Sequence, residues 1–317
     1  MNFITETANV NIQSIEHPKL WDFVGNTPLI PLKKIFAGRI PKGVRILAKA
    51  EWFNPSGSVK DRPAAAILEQ AWLEGHLSGG RNFLDSTSGN MGIAYATLGA
   101  ALGVPIHLAI PENATPERLA ILRALDAHLT LTNPLEGSEG AHAVAREMVS
   151  NHPDRYFYAN QYSNPANWQA HYDTTGPEIF EQTEGAITHF IAGLGTTGTI
   201  TGTGRYLKHR DEHIRIIGVQ PDGPLHGLEG LKHLPSTHTP EIYDPKIVDE
   251  MRWIATEPTY DLLKDLSRSE GLFVGVSAAA AVLAAYEIAR DLANGVIVVL
   301  LPDSGMKYVS QPFWRGE

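Results

Sequence analysis

Thr188-His189-Phe190-Ile191-Ala192-Gly193-Leu194-Gly195-Thr196-Thr197-Gly198-Thr199 runs directly into Ile200-Thr201-Gly202-Thr203-Gly204-Arg205-Tyr206-Leu207. The first five residues read as a strand, the middle as a loop of glycine and threonine, and Ile200 to Leu207 as a helix. Glycines let main-chain N–H groups turn inward, threonine hydroxyls add donors, and a helix N-terminus supplies positive potential. The loop therefore suits an oxyanion, above all a phosphate; a tight strand-to-helix turn without a ligand is the plainer alternative. Strand, loop and helix in this order make one unit of a parallel α/β fold.

The same alternation extends outward in both directions. Strand-like runs cover Arg45–Ala50, Asn82–Asp85, Ile106–Ile110, His128–Thr132, Ile214–Gln220 and Gly295–Leu301. Several are continuously apolar, as in strands buried on both faces. Helical patterns lie between them at Ala64–Glu74, Gly92–Leu102, Glu117–Leu125, Ala141–Val149 and Ala278–Leu292. Thr115-Pro116-Glu117 opens one of these with a capping hydroxyl, a first-turn proline and an acid near the helix dipole. Gly25-Asn26-Thr27-Pro28-Leu29-Ile30-Pro31-Leu32 is a turn entering a short strand whose prolines suit a sheet edge. The pattern predicts an α/β fold of mostly parallel sheets flanked by helices.

Further segments could carry chemistry. Asn54-Pro55-Ser56-Gly57-Ser58-Val59-Lys60-Asp61-Arg62 presents one lysine where a polar turn meets the helical run Pro63-Ala64-Ala65-Ala66-Ile67-Leu68. Desolvation there lowers the pKa of an amine and makes it nucleophilic; a loop lysine paired with Asp61 is the alternative. Thr87-Ser88-Gly89-Asn90-Met91-Gly92 is a second strand-to-helix loop. Its small donors suit a carboxylate, or simply a helix cap. Phe273-Val274-Gly275-Val276-Ser277-Ala278 sets a hydroxyl at the mouth of an alanine-rich helix, where capping is the plain role. Leu225 to His233 gathers Lys232 and two histidines against Glu229.

Gly193, Gly195 and Gly198 also satisfy G-x-G-x-x-G, the dinucleotide fingerprint. That fingerprint expects an acid about 20 residues on, at the end of the next strand. Val219-Gln220-Pro221-Asp222 offers Gln220 first, and Asp222 only after a proline. His209 and His213 stand four apart in a charged connection and read as solvated, so no metal site is expected.

With 317 residues the chain can form two modest domains sharing a cleft. A net charge of −9 disfavours a nucleic-acid partner, which needs a basic footprint. The absence of cysteine excludes disulfides, thiolate catalysis and cysteine-bound metal. The longest apolar run, Val296 to Leu301, is far short of a membrane span, and Met1 to Glu6 lack the look of a secretory signal. A cytoplasmic protein is expected.

Together, the lysine turn, the asparagine loop, the glycine–threonine loop and Gly275-Val276-Ser277 resemble the cysteine synthase family of fold type II pyridoxal-phosphate enzymes, and its B branch most. The resemblance runs from about Gly25 to near the C-terminus. It implies a two-domain, tryptophan synthase β-like fold. A small mobile domain would take 51–160, a large cofactor-binding domain 12–50 and 161–317, and an N-terminal arm 1–11. It implies pyridoxal 5'-phosphate held by Lys60 as an aldimine. Gly195, Thr196, Thr197, Gly198 and Thr199 would bind its phosphate, with Asn90 and Ser277 against its ring. Thr87, Ser88, Gly89, Met91 and Gln161 would hold the substrate carboxylate. Met91 departs from the family's usual threonine and replaces a donor by a thioether.

The implied reaction is a β-replacement. Lys60 removes the α-proton of an activated serine, acetate or phosphate leaves to give an aminoacrylate, and sulfide or another sulfur donor adds to form L-cysteine. Lys232 is expected beside the leaving group of O-phosphoserine. The implied partners are the amino-acid substrate, the sulfur donor and a second copy in a homodimer. Cystathionine β-synthase or serine/threonine dehydratase chemistry is the alternative on this fold. Dehydratases carry His-Ala-Gln and Arg-Gly-Ala where Met91-Gly92 and Asp61-Arg62 stand here. A non-catalytic binder of a nicotinamide cofactor or an amino acid is the alternative of another class.

Overall fold

A computed structural model describes residues 19–87 and 89–315, so the expected arm at 1–11 and Ser88 lie outside the described residues. The strands are β1 Leu29–Pro31, β2 Gly43–Ala50, β3 Asn82–Ser86, β4 Ile106–Pro111, β5 His128–Thr132, β6 Tyr156–Tyr158, β7 His189–Gly193, β8 Arg215–Pro221, β9 Glu250–Ile254 and β10 Asn294–Leu301. The helices are α1 Asp61–Leu73, α2 Asn90–Leu102, α3 Pro116–Ala124, α4 Gly137–Asn151, α5 Ala166–Ala170, α6 Gly176–Gln182, α7 Gly198–Arg210, α8 Thr256–Ser269, α9 Val276–Asp291 and α10 Pro312–Arg315.

The strands form two sheets, one in the order β1-β2-β10-β7-β8-β9 and one in the order β5-β4-β3-β6. The β1–β2 pair is antiparallel and the other pairs are parallel. As the prolines of Pro28–Pro31 require, β1 sits at an edge. The central strand β10 is buried along its length after Asn294, because helices cover both faces of its sheet. On one face lies α9, whose run of alanines lets the helix axis approach the strands closely; Ala278–Ala281 are fully buried there beside Val299 and Leu301. On the other face α6 and α7 bury Ile179, Ile200 and Leu207 against Phe190 and Val298. The four-stranded sheet has its own core, in which Phe83, Ile106 and Leu108 meet Leu68, Tyr95 and Leu98 of α1 and α2.

Several elements exceed the sequence expectation. β6 is three residues long, too short for a period, and β9 interrupts its apolar residues with Glu250 and Arg252. The α8 helix turns Thr259, Leu263 and Leu266 inward and leaves its charges on the solvent face. No element was expected between 161 and 187, where α5, one wide turn at His171–Thr175 and α6 follow one another.

Where β2 ends and α1 begins, ion pairs are buried. Arg62, in the first turn of α1, donates from Nε and Nη2 to Glu51 at 2.7 and 2.9 Å. From Nη1 and Nη2 it donates to Glu178 of α6 at 2.7 and 2.8 Å. Lys49 of β2 adds a 2.6 Å bond to Glu178 and another of 2.6 Å to the Thr27 carbonyl. Burial alone would raise the Glu51 carboxyl, but the Arg62 charge and hydrogen bonds outweigh it and hold it below the usual carboxylate range. Glu178 is likewise brought down to about 2, because Arg62 and then Lys49 overcome its desolvation. Removing the Arg62 cation would strand the Glu51 carboxylate and leave Glu178 with Lys49 alone. Arg62→Leu is therefore expected to destabilise the protein by about 3–5 kcal/mol, read from its urea midpoint; a loss below about 1 kcal/mol would contradict this reading of the cluster.

Candidate functional site

The turn before α1 is held from both sides. Asn54 closes it by accepting from Gly57 N–H at 2.8 Å, and Val59 N–H donates to Pro302 O, just past β10, at 2.8 Å. Lys60 follows as the residue preceding α1. Asp61 does not pair with it, because Ser56 donates to the Asp61 carboxylate through both N–H and hydroxyl. The Lys60 amine is drawn below the usual lysine pKa chiefly by burial, with Asp303 and Glu51 opposing and Lys307 adding to the shift. Among the described residues its Nζ has no hydrogen-bond partner. A desolvated amine without an acceptor is chemically available.

Lys60 lines a cleft that also takes in the expected loops. Thr87, Gly89, Asn90 and Met91 reach it from the β3–α2 connection, and Gln161 from beyond β6. Gly195, Thr196, Thr197 and Thr199 reach it from the β7–α7 connection, Ser277 from the start of α9, and Lys232 from the loop after β8. Gly198 is the first residue of α7 rather than a wall of the cleft. The cleft encloses about 980 Å³, including space open to solvent.

The β7–α7 loop needs its glycines for close approach. A Cβ on Gly195 would lie 2.8 Å from the Gly230 carbonyl, and one on Gly198 would lie 2.0 Å from Asn167 Oδ1. Thr197, at a φ of +68°, takes a left-handed conformation that non-glycine residues seldom adopt. The loop contains no cation, so its binding capacity rests on N–H groups, hydroxyls and the N-terminus of the 13-residue α7. Thr199 Oγ1 lies 3.2 Å from Nε2 of the buried His171, whose imidazole burial keeps well below its usual pKa. At the end of β8, Gln220 Oε1 accepts from Leu234 N–H at 3.0 Å and so braces the next loop. That position holds neither an acid nor a free side chain for a ribose, which argues against a dinucleotide.

On the opposite loop, Thr87 Oγ1 accepts from Gly89 N–H at 3.0 Å and Gly92 N–H at 3.2 Å. Its lone pairs cap α2 and its own proton stays available as a donor. Asn90 is fixed at both ends of its amide, donating to Asp303 at 2.7 Å and accepting from Lys307 at 2.9 Å. Met91 is buried to 2% exposure. Gln161 donates to Ser86 O at 2.7 Å. Ser277 does not cap α9: Gly275 precedes the helix, and no side chain caps it. Its hydroxyl faces the cleft, beside Gly230.

Sequence reasoning missed several walls of the cleft. Arg118 of α3 pairs with Glu229 and packs its guanidinium 4.8 Å from the Tyr308 ring centre. Tyr308 in turn donates to Asp303 at 2.8 Å. Lys232 is not a free cation, since it donates to Glu139 at 2.7 Å over the face of Tyr162. His226 and His233, grouped with Lys232 in the sequence, engage Leu228 N–H and Ser236 within their own loop.

The residues present fit pyridoxal 5'-phosphate. An amine without a hydrogen-bond partner, a cation-free loop of N–H groups and hydroxyls at a helix N-terminus and an uncommitted serine hydroxyl share one cleft. The sequence matches the family described as pyridoxal-phosphate dependent enzyme over residues 20–303. It is 50% identical to a cysteine synthase of Aquifex aeolicus, over 90% of this chain and 89% of that protein. It is 40% identical to a cysteine synthase B of Pseudomonas aeruginosa, over 94% and 97% of the two chains. A crystal structure of cysteine synthase from Entamoeba histolytica superimposes with a TM-score of 0.89 at 34% identity, over 96% of this chain and 92% of that one.

Behind the β3–α2 loop, burial pushes the Asp85 carboxyl up to about 7 despite the N–H groups of Ser86 and Gln161. The folded protein thus holds a proton on Asp85 from about pH 3.8, its ordinary value, to about 7. Stability from this group is full below that window and is lost as pH rises through it. Asp85→Asn removes the titration. It should gain about 1–3 kcal/mol on the parent between about pH 5 and pH 8, measured by denaturant titration; a pH-independent difference would contradict the buried proton.

Proposed function

Because this chain belongs to the pyridoxal-phosphate dependent enzyme family, we propose that its cleft is a cysteine synthase site with Lys60 as the cofactor-bearing and proton-transferring residue. The chain is a pyridoxal 5'-phosphate enzyme, a transferase that forms L-cysteine from an activated serine and sulfide. The observation that carries the assignment of residues is the Lys60 amine, desolvated and without a hydrogen-bond partner, in the cleft that also holds the β7–α7 phosphate cradle.

What pyridoxal 5'-phosphate supplies when bound is an electron sink for charge developing at the substrate α-carbon. Lys60 Nζ, its pKa lowered by burial, takes the α-proton as a general base. Gly195, Thr196, Thr197, Gly198 and Thr199 hold the phosphate through N–H groups, hydroxyls and the dipole of α7. Asn90 orients the ring with an amide that Asp303 and Lys307 already fix. Ser277 offers the ring nitrogen a neutral hydroxyl. Thr87, with its oxygen bound by two N–H groups, turns its proton to the substrate carboxylate. Gln161 and the Ser88, Gly89 and Met91 portion of the loop complete that grip, with no hydroxyl from position 91.

Several finer points belong to the same proposal. The leaving group is acetate or phosphate. The small mobile domain takes 51–160, and the large one 12–50 and 161–317. The working form is a cytoplasmic homodimer. No helix among the described residues is long and apolar enough to cross a membrane.

Purified holoenzyme given O-acetylserine and sulfide is expected to release L-cysteine and acetate in equal amounts, with Lys60→Ala at background. A greater kcat/KM for turning serine into pyruvate, or serine and homocysteine into cystathionine, would overturn the assignment in favour of a dehydratase or a cystathionine synthase.

A further inference from the structure

The outer wall of the cleft carries a matched pair of charges. Lys232 follows the Gly230 turn, and its N–H donates to the carbonyl of Leu194, next to the phosphate cradle, at 2.7 Å. Its main chain is thus fixed to the floor of the cleft while its side chain climbs the wall. There Nζ lies 4.8 Å from the Tyr162 ring centre and donates to Glu139 Oε1 at 2.7 Å. The Lys232 side chain is 12% exposed and that of Glu139 is 50% exposed, so the cation faces the cleft and the anion faces solvent. Glu139 lies in the first turn of α4, where the helix dipole favours a carboxylate. It also lines a side cavity with His142 and Arg146, so it stands on the partition between that cavity and the cleft. Arg118, another cation lining the cleft, is buried and already matched by Glu229.

We propose that Glu139 is a specificity-determining residue which, by pairing with Lys232, sets how strongly the cleft receives a doubly charged anion relative to a singly charged or neutral ligand. The proposal rests on the cysteine synthase reading of the same cleft. A divalent group, whether on the sulfur donor or on the leaving group, must compete with the Glu139 carboxylate for the Lys232 ammonium. A small monovalent nucleophile such as hydrosulfide has far less to gain from that cation. Glu139 therefore acts through Lys232 and touches no reacting atom. Neutralising it leaves the ammonium over Tyr162, in the lining of the cleft, without a counter-charge.

Thiosulfate, a divalent sulfur oxyanion, is the probe. Its affinity for the holoenzyme is measured by calorimetric titration at constant ionic strength, and its kcat/KM relative to sulfide with O-acetylserine. Glu139→Gln is expected to bind thiosulfate about tenfold more tightly and to raise the thiosulfate-to-sulfide ratio by a similar factor. Glu139→Asp, which keeps the charge, is expected to stay within about threefold of the parent. In the Lys232→Ala background, Glu139→Gln is expected to change neither quantity. Equal thiosulfate affinity in parent and Glu139→Gln would overturn the proposal, as would a full gain without Lys232. Absence of L-cysteine formation from O-acetylserine and sulfide in the parent would refute the reading of the site instead, and the titration would still decide the role of the Lys232–Glu139 pair.

Discussion

The Arg62 guanidinium, gripped between Glu51 and Glu178, is the constraint on which the placement of the site depends. Buried ion pairs contribute little net stability once their desolvation is counted, yet breaking one is costly. Their effect is to fix geometry. Arg62 lies two residues after Lys60 and joins the end of β2, the start of α1 and α6 at one point. The turn bearing Lys60 is therefore anchored at its far side by this cluster and at its near side by the backbone of Pro302. Between the two anchors the amine can move little, and it is held where water is scarce.

Two helix N-termini then look into the cleft from different sheets. α7 follows a loop of glycine and threonine that approaches other backbone closely, and α2 follows a loop capped by Thr87. Each offers N–H groups to an anion; the α7 loop contains no cation, whereas at the α2 loop the Arg118 guanidinium lies against Gly89 and Lys307 donates to Asn90. Two of the cations that line the cleft, Arg118 and Lys232, are each matched by a glutamate. On the function proposed above, the dipoles hold fixed oxyanions and the Lys232–Glu139 pair discriminates among ligands that arrive.

Legibility in the sequence followed the range of the interactions. Strands such as β10 and loops such as Gly193–Thr199 carry their signal in adjacent residues, because burial on both faces and close backbone approach dictate residue type locally. The cleft's donors were legible for the same reason. The family resemblance tied those loops together; composition and spacing alone left each with a plainer reading, such as capping by Ser277. The Arg118–Glu229 and Lys232–Glu139 pairs join residues 111 and 93 positions apart, and nothing local marks them. The charge of Lys232 was visible, and its partner was not. Likewise α8 and β9 interleave charges with their buried residues, which blurs a period that only packing restores.

The central claim is that Lys60, and no other lysine, bears the cofactor. Its most direct measurement is borohydride reduction of the holoenzyme followed by peptide mass mapping. The account predicts a pyridoxyl group on the peptide containing Lys60. A pyridoxyl group on Lys49, Lys307 or Lys232, with Lys60 unmodified, would contradict it.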